Sequence, residues 1–130
     1  KDENENLQSA INHKIIRYAD VLLMMAEAAN EVSGQNIAIG YINEVRERVD
    51  MPLLETGMSK EEVFEAIVHE RRVELASEQV RFPDLVRWGR AAEVLGPKGF
   101  QEGVHELFPI PENEIGTNNN IGPEDQNPGY

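Results

Sequence analysis

Apolar residues recur at helical spacing over four stretches of this chain. In the first, residues 17–32, Tyr18, Val21, Leu22, Met25, Ala26 and Ala29 fall on one stripe. Gly34 follows as a stop signal. A second helix is predicted over 36–49, with Ile37, Ala38, Tyr41, Ile42, Val45 and Val49 inward, ended by Asp50-Met51-Pro52. A third begins after Ser59. Ser59 followed by Glu62 has the spacing of a capping box, in which the hydroxyl and the carboxylate satisfy two free N–H groups reciprocally. Val63, Ile67, Val68 and Leu75 supply its buried stripe to about Glu78. Gln79-Val80-Arg81 forms a turn. Pro83 suits the first turn of a fourth helix, with Asp84 near its positive end. Leu85, Trp88, Ala92 and Leu95 are its stripe, and Gly96-Pro97 stops it.

From Gly96 to Tyr130 the helical period is lost among five prolines and many Gly and Asn. Leu107, Phe108, Ile110 and Ile115 are too apolar for a free tail. Residues 105–111 are therefore expected to be an extended strip docked on the helices, with Pro111–Glu114 as a turn. At the other end, Lys1-Asp2-Glu3-Asn4-Glu5-Asn6 has nothing to bury and is expected to be a frayed lead-in. The organisation is thus one all-α domain: lead-in 1–16, four helices over 17–96, irregular tail 97–130.

The first two helices resemble one tetratricopeptide unit. Leu22, Met25, Ala26 and Ala29 have the spacing of that repeat's first helix, and Ala38, Ile42 and Val45 that of its second. Ala26 and Ala38 let the pair approach closely. An ordinary helical hairpin has the same features. Met24, Ala28, Ile39 and Ile16 are left without an obvious partner inside the hairpin. Packing against further helices or contact with another protein would use them.

Composition narrows the functional classes. There are 24 acidic and 12 basic residues, net −12. Nucleic acid and anionic membrane surfaces attract the opposite sign. Without cysteine there is no thiolate nucleophile, disulfide framework or cysteine zinc site. No apolar run approaches the ~20 residues of a membrane span.

Charge and apolar residues mix most densely in ERRVELASEQVRFPDLVRWG, residues 70–89, which holds the one tryptophan. A corner between the third and fourth helices would bring Arg71, Glu74, Asp84 and Arg87 together beside Leu75, Leu85 and Trp88. Guanidinium and carboxylate pairs there are the strongest charge-assisted hydrogen bonds that side chains make. A buried network of this kind predicts that Arg87→Ala destabilises far more than Lys60→Ala.

Glycosidase chemistry needs a carboxyl whose pKa is raised, whereas Glu70, Glu74, Glu78 and Asp84 each have arginine close in sequence. The corner is therefore structural, and no catalytic residue is assigned. His69 and Glu65 share a helix face, but position 73 is Val, so the His-Glu-x-x-His zinc pattern fails. His69 is expected to be a partly exposed structural residue, with no metal and no cofactor. The Asn-rich stretches 113–120 and 122–127 lack the ligand order of a calcium loop. Trp88 lies on a buried stripe and is expected in the core.

The same 70–89 stretch resembles the signature of the C-terminal part of the SusD/RagB family. RYADVLLMMAEAANE, HELFPIPENEI and QNPGY agree with it in the family's order, so the resemblance covers about residues 15–130. Ser77, Gln79 and Pro83 stand where the family more often has an aromatic, a glycine and an aromatic. The glycine position implies an unusual backbone angle at Gln79. The resemblance implies part of a surface-exposed, lipid-anchored nutrient-binding protein of the outer membrane. It would capture oligosaccharide and act with a TonB-dependent, SusC-like transporter. It also implies a fragment of a longer protein, with which a first residue of Lys agrees, and glycan contacts made mainly upstream. No ligand-binding residue is carried over. With six per cent aromatics, the chain alone is not expected to bind sugar tightly. The alternatives are a helical-repeat scaffold for another protein and a carbohydrate-active enzyme.

Overall fold

The computed structural model describes residues 14–130. The expected lead-in lies mostly outside them. Two compact units divide the chain, Lys1–Ala76 and Ser77–Tyr130. The described residues contain helices and turns and no strand, as the helical spacing of the sequence requires.

The first unit is built from α1 (Tyr18–Val32), α2 (Gln35–Glu47) and α3 (Lys60–Glu74). Gly34 at φ 103° lets the chain reverse after α1, a backbone conformation that side chains with a Cβ rarely adopt. α1 and α2 form the tetratricopeptide-like hairpin, and α3 packs mainly against α1. The core consists of Ala19, Leu22, Leu23, Ala26 and Ala29 of α1, Ala38, Ile39, Ile42 and Val45 of α2, and Val63, Ile67 and Leu75 from α3 and its cap. Alanines at the hairpin contact allow close approach, as the repeat-like spacing requires.

Both hairpin helices are rotated from the predicted stripes. Tyr18 and Met25 are exposed and Leu23 and Asn30 are buried; Ile37 and Val49 are exposed and Ile39 is buried. The reason is that α1 is sandwiched. It must face α2 and α3 at once, so its buried arc widens towards Leu23 and Asn30. Asn30 Nδ2 donates to the carbonyl of Lys60 at 3.0 Å, tying α1 to the first residue of α3. The loop after α2 is clamped by Asn43, whose amide donates to Leu54 O at 3.0 Å and accepts from Leu54 N at 2.8 Å.

The predicted capping box of α3 forms. Glu62 N donates to Ser59 Oγ at 3.2 Å, and Ser59 N donates to Glu62 Oε2 at 2.8 Å. The backbone hydrogen bond from Ser59 holds the Glu62 carboxyl below its ordinary pKa. A carboxyl lowered in the folded state stabilises fully above its unfolded pKa and loses this contribution as pH falls through the folded value. Glu62→Ala is therefore expected to lower the melting temperature at neutral pH, and the deficit should shrink as pH drops below the carboxylate range. Melting curves of the two proteins across that range check this; a deficit independent of pH contradicts it.

α3 ends at Glu74, four residues before the expected end. Ser77 and Gln79 follow at φ 69° and 64°, and left-handed residues cannot continue a right-handed helix. The unusual angle expected at Gln79 is present, in a side-chain-bearing residue.

The second unit begins with α4 (Arg81–Arg87) and α5 (Ala91–Leu95). These replace the single fourth helix, so residues 17–96 hold five helices rather than four. The break is at Gly89, φ 68°. Leu85 and Ala91 are buried; Trp88, Ala92 and Leu95 are half-buried. Pro83 sits in the first turn of α4, as expected.

The C-terminal residues are less irregular than the proline content predicts. Short 3-10 turns occupy Gly96–Lys98 and Pro123–Asp125, and Pro111–Glu114 opens α6 (Glu112–Thr117) instead of making a simple turn. Pro111 caps α6 from outside, where its missing N–H costs nothing. The strip before α6 is held by its backbone. Gln126 accepts from Ile110 N at 2.8 Å and donates to Ile110 O at 3.0 Å. Asn127 donates to Phe108 O at 2.6 Å, and the Tyr130 hydroxyl donates to Leu107 O at 3.2 Å. Phe108 remains 78% exposed, although its ring lies 6.3 Å from that of Phe82 in α4. The strip's apolar side chains are thus less buried than their composition suggested.

Candidate functional site

The charged residues of the 70–89 stretch find partners at long sequence range. Arg71 lies on the buried face of α3, 5% exposed, and donates to Asp20 Oδ1 in α1 at 2.8 Å. Glu70 accepts from Arg46 of α2. Glu74 closes α3 and accepts from Arg17, which precedes α1, and from Arg48, which caps α2, at 2.8 and 3.0 Å to its two oxygens. Arg17 also donates to the Glu74 carbonyl. A single carboxylate therefore ties all three helices of the first unit, and an arginine satisfies a backbone acceptor that the helix end leaves open.

Asp84, Arg87 and Trp88 come together in the second unit. Arg87 Nε donates to Asp84 Oδ1 at 2.9 Å, one helical turn away. Its guanidinium carbon stands 4.6 Å from the centre of the Trp88 ring, a cation–π contact. Asp84 is buried and Arg87 is exposed. Arg17, Asp20, Arg46 and Arg48 were not among the residues singled out by sequence. They lie in or at the ends of α1 and α2, far along the chain from the 70–89 stretch, and only their charge marked them.

Among the described residues, no group of three His, Cys, Asp or Glu side chains is placed to hold a metal ion. His69 is exposed, and its neighbour Glu70 is committed to Arg46. In the Asn-rich loop, Asn118 donates to Glu114 at 2.8 Å and accepts from Asn120 N at 3.0 Å. These oxygens shape turns.

An open groove of about 500 Å³ lies in the first unit between the start of α1 and the end of α2. Leu22 and Val45 contribute its apolar floor, and Tyr18, Glu44, Glu47 and Arg48 line it. Tyr18 is 66% exposed. Hydrogen bonding to the Glu44 carboxylate raises its phenol above the ordinary pKa, because the neighbouring negative charge opposes ionisation. In the second unit, a concavity of about 360 Å³ is lined by Glu112, Ile115, Pro123, Gln126 and Tyr130.

A model of the SusD family matches residues 1–130. SusD-like protein P2 of Formosa agariphila is 38% identical over 141 residues, covering 98% of this chain and 28% of the relative. A crystallised SusD superfamily protein from Bacteroides vulgatus is similar at 36% identity with a TM-score of 0.80, over 95% of this chain and 28% of that one. A solved laminarin-binding SusD-like protein is 45% identical with a TM-score of 0.72, over 88% of this chain and 22% of its own. The chain thus spans less than a third of the length of each of these relatives.

Proposed function

This chain belongs to the SusD family, and we propose from that premise that it is the C-terminal domain of a cell-surface glycan-binding lipoprotein. The whole protein captures oligosaccharide and delivers it to a TonB-dependent, SusC-like transporter in the outer membrane. The observation that carries the reading is the likeness to a laminarin-binding SusD-like protein along most of this chain. The protein binds and does not turn over its ligand; its buried carboxylates are engaged by arginine in ion pairs, which suits structure and not general acid catalysis. The lipid anchor belongs to a part of the protein outside these residues, since no cysteine is present to carry it. Arg71, Glu74, Asp84, Arg87 and Trp88 serve the fold, and the main glycan contacts lie upstream.

Calorimetric titration of the full-length protein with laminarin, maltose-series and xylose-series oligosaccharides tests this. Saturable binding to at least one series, with no release of shorter products, is the expected result. Co-purification with a tagged transporter from outer membranes tests the partnership. Absence of binding to every glycan overturns the capture role, and release of shorter products overturns the non-enzymatic reading.

A further inference from the structure

The groove between α1 and α2 has the chemistry of a sugar contact. A pyranose presents a face of C–H groups and a rim of hydroxyls. The C–H face packs against an aromatic ring, whose negative face attracts the slightly positive hydrogens. The hydroxyls are held by planar polar groups able to donate or accept in pairs. Tyr18 supplies an exposed ring at the groove, and Leu22 and Val45 exclude water from the floor. The groove volume of about 500 Å³ lies in the ~300–1,000 Å³ range of small-molecule sites.

The polar rim is arranged before any ligand arrives. Arg48 is held by both oxygens of Glu74, so less side-chain freedom is lost when it binds a hydroxyl. Both signs of charge line the groove: Arg17 and Arg48, each already paired with Glu74, beside Glu44 and Glu47. Such a rim offers sugar hydroxyls both donors and acceptors.

We propose that this groove is an accessory subsite for one neutral pyranose residue of the captured glycan, with Tyr18 as the stacking platform and Glu44, Glu47 and Arg48 as hydroxyl partners. The proposal rests on the glycan-capture reading above. With a single ring, the subsite binds weakly by itself and contributes as an extra contact for a chain already held elsewhere. This agrees with the expectation that these residues alone do not bind sugar tightly.

Fluorine NMR of the full-length protein labelled with fluorotyrosine tests it, using laminaritriose and maltotriose titrated into the millimolar range. The Tyr18 signal is identified by its loss in Tyr18→Phe. It is expected to shift saturably with at least one trisaccharide. Tyr18→Ala should weaken the dissociation constant read from the remaining shifts by about fivefold, the size of one lost aromatic contact. Tyr18→Phe keeps the ring and should keep the affinity. Glu44→Gln, at an exposed position, provides a second variant that retains the fold. A Tyr18 signal that does not move while calorimetry reports sugar binding overturns the subsite and leaves the capture role standing. A Tyr18 signal insensitive to a soluble paramagnetic agent also overturns it, because the rest of the protein then covers the groove. Absence of sugar binding by either method overturns both readings.

Discussion

Ile39→Lys is expected to unfold the first compact unit, whereas Met24→Lys leaves it folded. Ile39 is 2% exposed, in the core with Ala38, Ile42 and Val45; Met24 is 44% exposed on α1. A lysine at position 39 must bury an ammonium group without a partner or force the helix out of place. Either costs about 5 kcal/mol or more, comparable with the whole ~5–15 kcal/mol stability of a domain. At position 24 the ammonium reaches water along its own stem. Circular dichroism melting of the two variants measures the difference. The sequence grouped these residues together as apolar positions lacking a hairpin partner; the structure separates them. Equal melting temperatures would contradict the placement of α2.

Arg71→Ala is expected to destabilise by about 3–5 kcal/mol, because it leaves the largely enclosed Asp20 carboxylate without its guanidinium partner. The side chains of Arg71 and Asp20 are 5% and 13% exposed. Lys60→Ala removes an ion pair with Glu31 that is open to solvent on both sides, and such pairs contribute about 0–1 kcal/mol. Arg87→Ala should fall between them. Its partner Asp84 is buried, but its own guanidinium is 42% exposed and leaves water free to enter. A double-mutant cycle separates pair energy from packing. Arg71→Met with Asp20→Leu should recover most of the loss, since apolar groups of similar size replace a buried pair at little cost. A double variant as unstable as the sum of its single changes would show that the pair does not act as a unit.

Local features were legible because their partners lie within a few residues. The Ser59–Glu62 capping box spans one helical turn. The stop at Gly34 and the start near Pro83 depend on backbone angles that glycine and proline permit or impose. The positive φ at Gln79 followed from the family's preference for glycine there. The break of the fourth helix was missed although Gly89 stood in plain view. Apolar spacing continued across it, and periodicity does not detect one reversed backbone angle.

The faces of α1 and α2 were less legible. Leu22-Leu23-Met24-Met25 puts four apolar residues in succession, which occupy every side of a helix and leave the stripe ambiguous. The presence of α2 and α3 on two sides chose Leu23 over Met25. The accessory groove was equally hidden, because Tyr18 had been placed on the buried stripe.

The sequence by itself determined the helical class, the family, the capping box of α3 and the stop at Gly34 of this protein. These follow from short-range hydrogen bonding, backbone sterics and ordered motifs. Only the tertiary structure decided which charges meet. Arg17 finds Glu74 across 57 positions, Arg71 finds Asp20 across 51, and Arg46 finds Glu70 across 24. Arginine and carboxylate attract any opposite charge that comes near. Which one comes near is set by the packing of α1, α2 and α3, and packing is a property of the assembled core.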